Sequence, residues 1–150
     1  MATATMDDGV ELYYEEAGRG IPVVFVHEMT GDARIWEPQM RYFSRLFRCI
    51  AFNARGYAPS AIPEEPAAYS QRRAADDIAG LLHHLDIDSA YIVGLSMGAY
   101  TALHFGIHHG PKARGLVVAG CGHGSAREVA EIWPKQAQHM AHRLETEGME

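Results

Sequence analysis

Two cysteines in 150 residues, Cys49 and Cys121, are too few for a disulfide framework or a thiolate metal site. Each adjoins an apolar run, so both are expected as free thiols packed in or near the core. Basic residues are also in short supply. Thirteen Lys and Arg stand against nineteen Asp and Glu, and the formal charge of −6 argues against nucleic acid or an anionic membrane surface as the main partner. No basic segment followed by a long apolar run opens the chain, and no stretch nears the ~20 apolar residues a membrane span needs. These absences predict a soluble, cytoplasmic protein. Histidine and acid spacings suited to a metal are missing, as are a G-x-G-x-x-G turn and a Walker lysine, so no metal or cofactor is expected.

What the chain does have is a 47% apolar share arranged in short runs. Val10 to Glu15 alternates loosely and ends at Gly18-Arg19-Gly20, which predicts an edge strand and a turn. Apolar runs then recur at Val23–Val26, Cys49–Phe52, Ala90–Val93 and Leu116–Ala119. Runs of this length, apolar on both faces, suit a parallel sheet covered on both sides. Helical periodicity lies between them. The first helix is expected over Trp36–Leu46, with Pro38 in its first turn. The second, Arg72–Leu85, has a stripe of Ala74, Ala75, Ile78, Leu81, Leu82 and Leu85, with Asp76, Asp77 and His84 off it. A third runs from Ser96 to a stop at Gly110-Pro111. Strand and helix alternate, which predicts right-handed βαβ units in a doubly wound, mostly parallel α/β sheet.

The pattern changes after Gly120. Residues 121–125 read as loop, and Ala126–Glu147 as polar amphipathic helix broken near Pro134. The expected division is a core over 1–122 and the start of a lid or cap over 123–150.

Gly94-Leu95-Ser96-Met97-Gly98 is a G-x-S-x-G pattern, flanked by a strand run before it and a small-residue helical run after it. That context places Ser96 on a sharp strand-to-helix turn, with Gly94 and Gly98 permitting close backbone approach. Ser96 is the candidate nucleophile. The Met97 N–H, at the positive end of the following helix, is a candidate oxyanion donor.

Together with His27-Glu28-Met29-Thr30-Gly31-Asp32 and Ala54-Arg55-Gly56-Tyr57-Ala58-Pro59-Ser60, this elbow resembles the α/β-hydrolase superfamily, in particular its small-molecule esterases and enol-lactone hydrolases. The resemblance spans roughly Val10 to Gly120. It implies that Met29 N–H is the second oxyanion donor, opposite Met97. It also implies that His27 braces its loop rather than acting as the base, and that Arg55 is structural. Two departures stand out. Glu28 occupies a position that is commonly Gly in the superfamily, where a carboxylate beside an oxyanion is unfavourable unless it is turned away, protonated or engaged in bracing the loop. Asn53 replaces a common acid, which alters the bracing of the Arg55 loop. Glu28, Tyr57, His123 and Trp133 are candidate pocket residues.

Serine needs a base, and the base an orienting acid. The resemblance implies the chain order Ser, acid, His, and neither partner is recognisable within these 150 residues. The acid, the histidine and the carboxy-terminal strands are therefore expected beyond residue 150. Without them the strand at Leu116–Ala119 presents an unpaired edge.

The leading expectation is hydrolysis of a small carboxylic ester or lactone through an acyl-enzyme. Carbon–carbon bond hydrolysis or perhydrolysis would use the same visible residues. A non-catalytic receptor for a small ligand on a hydrolase scaffold is the alternative from another class. A short chain completed by a second copy or another polypeptide also remains open.

Overall fold

The computed structural model describes residues 2–122, 129 and 132–148. Six strands form one sheet: β1 (Ala2–Thr5), β2 (Glu11–Gly18), β3 (Pro22–Val26), β4 (Arg48–Phe52), β5 (Ala90–Leu95) and β6 (Ala113–Ala119). Their order is β1-β2-β4-β3-β5-β6. The four strands β4, β3, β5 and β6 run parallel, while β1 and β2 are joined on antiparallel. Helices α1 (Glu37–Phe43), α2 (Gln71–His84) and α3 (Met97–His108) make the crossovers.

The apolar runs dictate this arrangement because strand side chains alternate in direction. On β3, Val23 and Phe25 pack with Cys49, Ala51, Trp36 and Met40 beneath α1. Val24 and Val26 face the other way and join Ile50, Phe52, Ile92 and the apolar faces of α2 and α3. One strand thus feeds two cores, which is the physical content of a doubly wound sheet. Ile78, Leu81 and Leu82 of α2 are fully buried, each contributing about 1.5–3 kcal/mol over an exposed position. Ser70 starts α2, its hydroxyl accepting the Arg73 N–H at 3.0 Å.

Three expectations need correction. The segment beginning at Val10 is not an edge strand, because β1 pairs with its outer side. The four residues of β1 bury only Ala4, too little to register as an alternating pattern. The first helix is shorter than its stripe: a 3-10 turn over Ala33–Trp36 precedes it, and Leu46 lies exposed beyond its end. Asp77 is buried, not off the stripe.

Among the described residues β6 closes the sheet as an edge strand, with Val117 half exposed. A further helix, α4 (Trp133–Glu147), has Pro134 in its first turn and buries none of its residues. It ends at Gly148, whose N–H donates to Leu144 O at 3.1 Å with φ +77°. No helix among the described residues is long and apolar enough to cross a membrane.

Candidate active site at the carboxyl ends of the strands

The parallel strands leave in opposite senses from β3, toward β4 on one side and β5 on the other. A crevice opens at such a point, at the carboxyl ends of the strands. Three loops meet there: residues 27–32 after β3, 53–60 after β4, and the turn at Ser96 between β5 and α3.

Ser96 takes φ +50° and ψ −110°, a sparsely populated region for a residue with a Cβ. Its position is the cap of α3, yet its hydroxyl makes no capping bond, although serine at a helix start normally does. The backbone holds it there. Ser96 N–H donates to Ala119 O at 2.8 Å, and Ser96 O accepts from the Ala99 and Tyr100 amides. The glycines on either side have no room for a side chain. A Cβ on Gly94 would strike the carbonyl of Gly98, and one on Gly98 would strike those of Val26 and His27. The start of α3 therefore packs directly on the end of β3, leaving the Ser96 side chain exposed.

Two peptides of the first loop, Glu28–Met29 and Met29–Thr30, have their orientation fixed by hydrogen bonds. His27 is fully buried. Its Nδ1 lies 2.7 Å from Glu28 O, and its Nε2 accepts the Ala54 N–H at 3.0 Å. The ring therefore carries its proton on Nδ1, and burial pushes its pKa down. With both nitrogens engaged, His27 has no free lone pair for a substrate proton. The Tyr57 hydroxyl donates to Met29 O at 2.8 Å and lies 3.8 Å from Met97 Sδ. Its ring sits edge-on to His27 with centroids 4.5 Å apart. Burial, and then the charge of Glu28, raise the Tyr57 pKa, so the hydroxyl keeps its proton. Glu28 Oε2 accepts from Thr30 N–H and from Thr30 Oγ1–H.

Behind these loops Arg55 is buried and doubly bonded to Asp77, with Nε to Oδ2 and Nη2 to Oδ1 both at 2.7 Å. It also reaches Asp8 and the carbonyl of Ala68. These acids hold the Arg55 pKa above its ordinary value despite burial. Asn53 fills the place of the expected acid in its own way. Its Oδ1 accepts the Ala33 N–H at 2.9 Å, and its Nδ2 donates to Ala58 O at 2.6 Å. It ties the β3 and β4 loops together without charge.

A cavity of about 660 Å³ opens beside the site, bordered by Met29, Tyr57, Ile62, Tyr69, Met97 and Thr101. That is within the size range of small-ligand pockets. Of the four candidate pocket residues, Tyr57 lines it and Glu28 and Trp133 do not. His123 lies outside the described residues. His104 and His108 lie along α3, and His109 follows its end. His104 is eight residues past Ser96, about 12 Å along a helix, and His109 Nε2 is 2.7 Å from Asp76 Oδ1. Sequence reading missed the Asp77 and Asp8 partners of Arg55, the Tyr57–Met29 bond and the Thr30 partner of Glu28. Asp77 carried a signal, since it lies three residues after Ala74 and four before Leu81 on the buried face.

A doubly wound sheet with a strained serine between a parallel strand and its helix defines a class of α/β protein. The family comparison agrees: residues 21–147 match the alpha/beta hydrolase fold model, and the chain belongs to that family. Epoxide hydrolase 2 of Siraitia grosvenorii is 28% identical over 116 residues, covering 77% of this chain and 37% of the relative. The enol-lactonase from Burkholderia xenovorans LB400 superposes with a TM-score of 0.83 at 26% identity, over 99% of this chain and 55% of that one. A thermophilic esterase from Thermogutta terrifontis gives 0.83 at 30%, over 98% and 54%. The chain thus spans between about a third and just over half of the length of these proteins.

Proposed function

We propose that the protein is a serine hydrolase for a small carboxylic ester or lactone, with Ser96 as nucleophile and the Met29 and Met97 amides as the oxyanion site. The observation that carries this reading is Ser96 itself, an exposed hydroxyl held at φ +50° and excused from capping its helix. In the reaction Ser96 Oγ adds to the carbonyl carbon, and the oxyanion takes the two amide donors. Collapse expels the alcohol and leaves an acyl-serine, which water cleaves. The base and its acid are taken from outside the described residues: His27 is committed to its loop, the α3 histidines run along the helix away from Ser96, and His139 and His142 sit on α4, which buries none of its residues. Residues 123–150 are kept as the start of a lid or cap, a division that falls in part outside the described residues. The cavity beside Met29 and Met97 takes an apolar arm of the substrate.

Relatives with epoxide hydrolase in their names raise a second chemistry. A serine alkoxide opening an epoxide would form an ether, which water does not cleave at a useful rate. An acyl ester turns over. The nucleophile's own chemistry therefore favours carbonyl substrates. The full protein is expected to release p-nitrophenol from p-nitrophenyl acetate and to leave styrene oxide unchanged in the same assay. Diol formation without ester turnover would overturn the assignment, and turnover of neither substrate or of a lactone panel would favour the receptor reading.

A further inference from the structure

We propose that Glu28 is a positioning residue for the oxyanion site, its carboxylate setting the first loop so that the Met29 N–H faces the substrate. The inference rests on the reading of Ser96 and the two amides given above. It concerns how the first donor is aimed in this chain.

The Glu28–Met29 peptide has its carbonyl held by His27 Nδ1–H at 2.7 Å. A trans peptide points its N–H opposite to its C=O, so the Met29 N–H is directed away from the His27 ring. The Met29–Thr30 peptide is held at both ends. Its carbonyl accepts the Tyr57 hydroxyl at 2.8 Å, and its N–H donates to Glu28 Oε2. Thr30 Oγ1 adds a second bond to the same oxygen at 2.8 Å. With His27, Tyr57 and Glu28 in place, neither peptide plane is free to turn. Among the described residues Met29 N–H has no acceptor, and its own peptide is the one whose carbonyl His27 fixes; preorganised donors of this kind are what stabilise an oxyanion.

The same bonds answer the objection raised by a negative charge at this position. Glu28 Oε2 is occupied by two donors of Thr30, and Oε1 rests above Gly31, where an added Cβ would come within 2.5 Å of it. The carboxylate is turned into its own loop. Gly31 is the residue whose missing side chain allows that fold-back, so Glu28, Thr30 and Gly31 act as one unit.

The test uses the full protein and p-nitrophenyl acetate. Glu28→Ala is expected to lower kcat about 10–100-fold with KM within about twofold, because the lost alignment matters only as the oxyanion forms. Glu28→Gln keeps an oxygen for the Thr30 donors and is expected to stay within about threefold of the parent. Amide hydrogen exchange at Thr30 is read on the same three proteins: faster in Glu28→Ala, parent-like in Glu28→Gln. Unchanged kcat in Glu28→Ala, a rise in KM alone, or Glu28→Gln as impaired as Glu28→Ala would each overturn the proposal. If the parent turns over no ester, the serine reading fails and the oxyanion role of Glu28 falls with it, whereas parent activity with Thr30 exchange unchanged in Glu28→Ala overturns the Glu28 proposal alone.

Discussion

Ser96→Ala is expected to cut ester turnover by the full protein about 10⁴-fold or more, while binding of the uncleaved substrate changes little. On the proposed reading, removing the nucleophile deletes the covalent route altogether, and what survives would come from the proposed oxyanion donors and from binding. Ten-thousandfold is about 5.5 kcal/mol of barrier, far beyond what losing one exposed hydroxyl does to folding. Stability should move the other way in a companion variant. Ser96→Gly places at φ +50° the one residue that tolerates it without strain. It is expected to raise unfolding free energy by about 1 kcal/mol and to be as inactive as Ser96→Ala. Kinetics and urea unfolding on the two variants would separate nucleophile from turn. A variant that keeps a tenth of the parent activity would remove Ser96 from the mechanism.

Arg55→Ala should be the most destabilising polar substitution, by about 3–5 kcal/mol, the range for breaking a buried ion pair from one side. It leaves Asp77 buried with the more distant Arg73, whose Nε is 3.3 Å away. It also frees Asp8 and the Ala68 carbonyl, and so loosens both β1–β2 and the loop before α2. Native stabilities are about 5–15 kcal/mol, so the loss is a large part of the total. Pairing Arg55→Met with Asp77→Leu should recover most of it, since the double variant buries no orphaned charge. Urea unfolding of the single and double variants reads the difference directly. If the single variant loses less than about 1 kcal/mol, the pair does not brace the β4 loop.

Much of this was visible in the residues themselves. Four short apolar runs separated by helical periodicity specified the parallel sheet, since a strand apolar on both faces has to be covered twice. The G-x-S-x-G turn marked its own strand and helix. What stayed hidden depended on partners distant in sequence. Asp77 sits on the buried stripe by spacing, but a carboxylate there makes sense only once Arg55, 22 residues away, is known to meet it. Tyr57 reads as a loop aromatic until its hydroxyl is seen 2.8 Å from Met29 O. The Ala2–Thr5 strand has too little apolar contrast for any periodicity to show. Glu28 looked anomalous because local sequence does not reveal which way a side chain turns. Its two bonds to Thr30 supply that direction.

The central claim is that Ser96 is a nucleophile aimed into an oxyanion site, and covalent trapping tests it most directly. The full protein would be treated with diisopropyl fluorophosphate, whose phosphorus is attacked by an activated serine with loss of fluoride, and the modified peptide mapped by mass spectrometry. About one phosphoryl group per chain is expected, carried by Ser96 in the peptide spanning residues 94–98, with ester turnover falling in step with labelling. Full inactivation with the adduct on another residue and Ser96 unmodified would contradict it.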